Sequence, residues 1–151
     1  MTGAIVLVVR RTIKAPVTRV FEAWTRPEHL RRWWGPAPVT CSEAEVDLRV
    51  GGLYRIGNLL PDGSVLFIAG AFEIVDPPHR LVYSWQIERA GAAPADTSRV
   101  TVRFEPRDGG TEVIIAHEQI DSEATRADHE HGWIGCLDGL GKLFDPAVSY
   151  P

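Results

Sequence analysis

The residues best suited to chemistry lie in the segment HEHGWIGCLDGL, His129 to Leu140, and at His117 upstream of it. A metal centre needs three or four converging ligands. His129 and His131 are two apart, so on a helix their side chains point about 200° apart and cannot share an ion. The i, i+4 spacing of a helical zinc pair is absent. Cys136 follows His129 by seven residues, two turns or about 10 Å along a helix axis. With His117 the set reaches two ligands, so no metal and no cofactor is expected, and His131 should face solvent. A thiol nucleophile needs exposure and a lowered pKa. Cys136 instead lies on an apolar stripe with Trp133 and Leu137, which predicts an inert buried thiol, and Cys41 offers nothing better. Acid–base work points to His117, which shares a face with Val113 and Ile115. In an apolar cavity it would favour the neutral form and pass a proton, or else hydrogen-bond the backbone and do no chemistry. It is the one catalytic candidate, for a cyclase, dehydratase or hydrolase type of reaction.

Bulk properties narrow the classes. The 151 residues suit one domain, spanning residues 1–151, with 44% hydrophobic and 24% charged residues as in soluble globular proteins. A net charge of −4, with no basic stripe, argues against nucleic acid. The apolar run AIVLVV is ended by Arg10-Arg11, too short for a membrane span, and a cytoplasmic location is expected. Cys41 and Cys136 lack CxxC partners and should be free thiols.

The elements that must position these residues follow from periodicity. Ala4 to Ala15 reads as a strand. Pro16 opens a short helix with Val17, Val20, Phe21 and Trp24 on one face. Pro27 restarts a second, carrying Leu30, Trp33 and Trp34, until GPAP stops it. Of the adjacent Trp33 and Trp34, one should point inward and the other lie at the rim. Ala44, Val46, Leu48 and Val50 alternate with polar residues, and Gly51-Gly52 suits a tight hairpin. Strands over Leu53–Asn58, Val65–Val75, Leu81–Ile87, Val100–Phe104 and Val113–His117 follow. RAGAAPADTS, from Arg89 to Ser98, is expected to be a mobile loop. This gives about seven strands, six of them in one antiparallel run.

The last segment, about Ser122 to Phe144, is expected to be a helix. His129, Trp133, Cys136, Leu137, Leu140, Leu143 and Phe144 form its stripe. Gly132, Gly135 and Gly139 share an adjoining face, where something should pack closely. The fold class is α+β of helix-grip architecture: a curved antiparallel sheet with a long C-terminal helix over its concave face.

In that order of elements, APVTRVFEAWTRPEHLRRWWGP (Ala15–Pro36), EVDLRVGGLYRI (Glu45–Ile56), EIVDPPHRLVYSW (Glu73–Trp85), VTVRFEPRDGGTEVIIAHE (Val100–Glu118) and HEHGWIGCLDGL resemble START-like (SRPBCC superfamily) domains. The type they resemble is the homologue of the activator of heat-shock protein 90 ATPase. The resemblance implies a helix-grip domain with an internal cavity, often for apolar or aromatic small molecules. Its members include binding proteins, polyketide cyclases and chaperone activators. The expected ligand is an apolar, ring-containing molecule. The expected cavity wall is Trp24, Trp33, Tyr54, Phe72, Tyr83, Trp85, His117, His129 and Trp133. A packed core without vacancy competes with this. A chaperone-stimulating role would use surface charges such as Glu45, Asp47 and Arg49, and the first strand offers an edge for a homodimer.

Overall fold

The computed structural model describes residues 4–89 and 92–145, the side chain of Asp96 apart. Its elements run β1 (Ile5–Ile13), α1 (Val17–Thr25), α2 (Pro27–Trp33), β2 (Thr40–Val46), β3 (Leu53–Leu59), β4 (Val65–Asp76), β5 (Arg80–Glu88), β6 (Ala95–Arg107), β7 (Gly110–Ile120) and α3 (Glu123–Leu143). The strands form one antiparallel sheet in the order β1-β7-β6-β5-β4-β3-β2. From β2 to β7 each strand pairs with its sequence neighbour, while β1 crosses over to the far edge beside β7. This is the helix-grip arrangement read from the sequence. Among the described residues no helix is long and apolar enough to cross a membrane.

Period-two alternation builds the concave face. Leu81, Val100, Val102, Val113, Ile115 and His117 are each 0% exposed. Register shifts at Phe72/Ile74 in β4 and Trp85/Ile87 in β5 mark bulges, which bend a strand and raise its twist. The sheet therefore curls, and α3 lies in the curl, packed most against β1 and α2. At the start of α3 the Ser122 hydroxyl accepts the Thr125 backbone N–H at 3.1 Å, satisfying one of the donors that a helix start leaves open.

Three local expectations differ from the structure. The strand expected to run through Val50 ends at Val46, and Leu48 and Val50 are 37% and 67% exposed. The alternation continues in sequence, but the backbone there turns and hydrogen-bonds to β4, through Gly51 N–H to Phe72 O and Phe72 N–H to Gly52 O. Only Gly51 of the Gly-Gly pair takes a positive φ, +83°. The supposed loop Arg89–Ser98 is strand from Ala95 onward, pairing Ile87 with Ala95 and Trp85 with Ser98; Ala90 and Gly91 lie outside the described residues. Finally, both Trp33 and Trp34 are buried. The helix ends at Trp33, and Trp34 has extended backbone (φ −67°, ψ 138°), so helical spacing no longer holds the two side chains apart.

The glycines of α3 divide by task. A Cβ on Gly139 would lie 2.4 Å from the Trp33 carbonyl oxygen, and one on Gly135 would lie 2.4 Å from the Pro36 Cβ. These two let α3 touch the end of α2. Gly132 has nothing within 4 Å of its would-be Cβ. Gly139→Ala is therefore expected to lower stability by about 1–3 kcal/mol through overpacking against backbone. That loss outweighs the gain of about 1 kcal/mol from helix propensity. Urea unfolding of the variant beside the parent checks the sign.

Candidate functional site

Where α3 parts from the sheet, a cleft of about 440 Å³ opens between them. Its sheet wall comes from β3, β4 and β5: Asn58, Leu66, Ile68, Trp85 and Ile87. Its helix wall is the stripe His129, Gly132, Trp133 and Cys136, at i, i+3, i+4 and i+7 of α3. Trp34, Pro36 and Val39 close a third side. Arg89 and Asp128, both exposed, are also on the lining. The interior is thus aromatic and aliphatic, and the charges stand where solvent reaches them.

Two of the indoles on this wall, Trp34 and Trp133, are held by hydrogen bonds. Trp34 Nε1 donates to Asn58 Oδ1 at 3.0 Å, and Asn58 Nδ2 donates to the Leu66 carbonyl at 3.3 Å, which pins Trp34 as a wall. Trp133 stacks on Trp24 with centroids 6.1 Å apart and lies 5.4 Å from Trp85. Its Nε1 donates to His117 Nδ1 at 3.1 Å. An indole nitrogen only donates, so Nδ1 of His117 must be the bare nitrogen. The ring proton is then on Nε2 and goes to Ser98 Oγ, 2.7 Å away. Both nitrogens of His117 are engaged, and its ring stacks on that of His129 at 4.2 Å. Burial first, and the neighbouring His129 second, lower its pKa from 6.5 to about 3.

The residues expected to wall a single cavity fall into three places. Trp85, His129 and Trp133 line the cleft. Trp24, Tyr54, Phe72 and Tyr83 surround a separate void of about 20 Å³, on which Trp34 and Trp85 also border. There the rings pack on one another, with Tyr54–Tyr83 centroids at 5.0 Å. The Tyr54 hydroxyl donates to the Ser84 carbonyl at 2.6 Å. Trp33 and His117 line neither space. Trp33 Nε1 donates to the Ala23 carbonyl at 2.8 Å. The half of the region around Tyr83 is thus a filled core, and the hollow lies toward the N-terminal half of α3. Asn58 and Ser98 were not singled out in the sequence, and Trp34 was named beside Trp33 but left out of the expected wall. A lone Asn or Ser in a strand carries no periodic signal, and Trp34 was assigned through a helix that stops before it.

Cys136 lines the cleft, but burial pushes its thiol up to about 12, with a Gly35 backbone hydrogen bond opposing, so it stays protonated and a poor nucleophile. Cys41 is half-buried, and both cysteines are free. Among the described residues no three His, Cys, Asp or Glu side chains converge as a metal would require.

Comparison with known proteins places this geometry among others. The profile of the family described as activator of Hsp90 ATPase homolog 1-like protein matches residues 14–145. A solved protein of Chromobacterium violaceum is 27% identical, with 93% of this chain and 97% of that one covered at a TM-score of 0.83. One from Rhizobium leguminosarum is 28% identical, with 95% of each chain covered at a TM-score of 0.80. An AHSA1 protein from Silicibacter pomeroyi, 21% identical, shares the fold at a TM-score of 0.81 over 91% of this chain and 95% of that one. No curated protein matches the chain.

The His117 arrangement predicts a pH dependence. With a folded pKa of about 3 against 6.5, the unfolded chain binds a proton that the folded one refuses. Stability from this group is complete above pH 6.5 and falls as the pH drops toward about 3, by up to about 1.4 kcal/mol per pH unit. His117→Gln, which still donates and accepts, should flatten that part of the profile in urea unfolding at pH 7 and pH 4.5.

Proposed function

The chain belongs to the activator of Hsp90 ATPase homolog 1-like family, and on that premise we propose that it binds a small, mostly apolar, ring-containing molecule in the cleft. The observation that carries this reading is the cleft itself: about 440 Å³ walled by Trp34, Trp85, Trp133 and His129. That volume is within the usual range for small-molecule sites. A ligand burying about 200 Å² of ring surface gains about 5 kcal/mol at about 25 cal/mol per Å², before the costs of ordering it. The pinned tryptophans reduce those costs, because the wall is formed before the ligand arrives.

Catalysis through His117 fits this geometry less well. Its two nitrogens already hold Ser98 and Trp133, and it is 0% exposed and off the cleft wall. A base in that position would have to break one of those bonds before meeting a substrate. A chaperone-stimulating role rests on the family's description alone. Of the charges it would use, Glu45, Asp47 and Arg49, the last two pair with each other at 2.8 Å.

Gly132 provides the test. It lines the cleft, and a side chain there would enter open space. Gly132→Leu is expected to keep or raise stability, by up to about 1 kcal/mol from helix propensity. It should also weaken binding of 1-aminoanthracene, followed by its emission, at least about tenfold through loss of cleft volume. Equal binding by variant and parent, or none by the parent, would reject the cleft as the site.

A further inference from the structure

The two edges of the sheet are not alike. β2 carries the extra residue of the Cys41/Glu43 register shift, Glu43 and Glu45 stand exposed along it, and α2 packs against it. Bulges, charges and a covering helix are the usual means of keeping an edge strand from pairing with another chain. The first half of β1, Ile5 to Val9, has none of them and reads IVLVV. At its one register shift Ile5 faces Ile120 and Leu7 faces His117, so the extra residue belongs to β7. Val6 and Val8 are 54% and 50% exposed. Ile5 and Val9 are only half-buried, although Ile120 and Ile115 opposite them on β7 are 0% exposed. α3 meets the second half of the strand, where Asp138 pairs with Arg11 at 2.8 Å and Gly141 lies beside Ile13. Among the described residues, β1 pairs with β7 alone, and no other backbone hydrogen bond reaches Ile5–Val9.

We infer that a second copy of this chain adds to the free edge of β1, antiparallel, with Leu7 on the two-fold axis. In that register Val6 opposes Val8 of the second copy, and Ile5 opposes its Val9. Each of these pairs is apolar and β-branched, a combination that favours cross-strand pairing. A two-fold on Val8 would set Val6 against Arg10, and one on Arg10 would set like charges face to face. With Leu7 on the axis, Arg10 instead lies opposite Ala4 of the second copy. Ala4 precedes Ile5 and Asp121 follows Ile120, the ladder partner of Ile5. Arg10 thus comes within two strand spacings, about 10 Å, of an exposed Asp121 across a small residue, at both ends of the seam. Its own ion pair with Glu112 is loose, at 3.9 Å. The pairing uses up β1 in both copies and leaves only the two blunted β2 edges outside, so assembly closes at a dimer.

Sedimentation equilibrium of the full chain, from micromolar to near-millimolar concentration, should show a monomer–dimer equilibrium. Val8→Lys places a charge at an exposed position and leaves the core untouched. It is expected to raise the dissociation constant at least about tenfold, since each dimer carries two such charges against apolar partners. A second measurement reads the register itself. Val6→Cys and Val8→Cys are mixed in equal amounts and oxidised with oxidised glutathione. Directly opposed positions lie about 5 Å apart at Cα, within reach of a disulfide, so the mixed species should form and peptide mapping should find the two substituted positions joined. Either variant alone sets its cysteines about 8 Å apart, beyond that reach, and should cross-link far less. A chain that stays monomeric throughout overturns the inference. So does a dimer that Val8→Lys leaves unchanged, or cross-linking no better in the mixture than in the single variants.

Discussion

How closely α3 may approach α2 governs the shape of the interior. Gly135 and Gly139 bring the helix against Pro36 and the Trp33 carbonyl, at distances no Cβ would tolerate. With that half of the helix fixed, the other half cannot also lie flat on a sheet that bends at the bulges of β4 and β5. The gap left on that side is the cleft, and Gly132 keeps it from being filled by the helix itself. One rigid contact and one curved surface thus produce both a packed half and a hollow half.

Burial alone would leave the polar edges of these aromatic residues without partners. In this chain most of them find partners in one another, in Asn58 and Ser98, or in backbone carbonyls. Trp133 donates to His117, His117 to Ser98, Trp34 to Asn58 and Asn58 to the Leu66 carbonyl. Such bonds are directional, so they fix ring orientation as well as position. The lowered pKa of His117 has its first cause in the same burial, where water cannot reach a charged ring, and its second in the neighbouring His129.

Much of this was legible in the residues. The alternation in β5, β6 and β7, the proline starts of the two short helices and the stripe on α3 all lie where spacing put them. Spacing reports which side of an element faces inward, and that is a local property. It says nothing about whether the inward side meets a neighbour or empty space. For that reason Trp24, Tyr54, Phe72 and Tyr83 read the same as Trp85 and Trp133 in sequence, yet only the latter pair borders the cleft. The three glycines that share a face of α3, Gly132, Gly135 and Gly139, likewise looked alike. Gly139 is met by Trp33 at the end of α2 and Gly135 by Pro36 further on, while Gly132 faces open space, a distinction set by what stands opposite.

The sheet order has a consequence for how the chain comes to be folded. β1 is made before every other strand, yet its ladder partner is β7, so Val9 waits for Ile115 and Ile13 for Thr111. Closing so long a loop costs entropy that local hairpins do not face. During synthesis the meander from β2 to β7 can form ahead of it, one neighbour at a time. Of the seven strands described, the one made earliest is thus the last to be paired, and until then Val6, Leu7 and Val8 are an apolar segment with no place in a sheet.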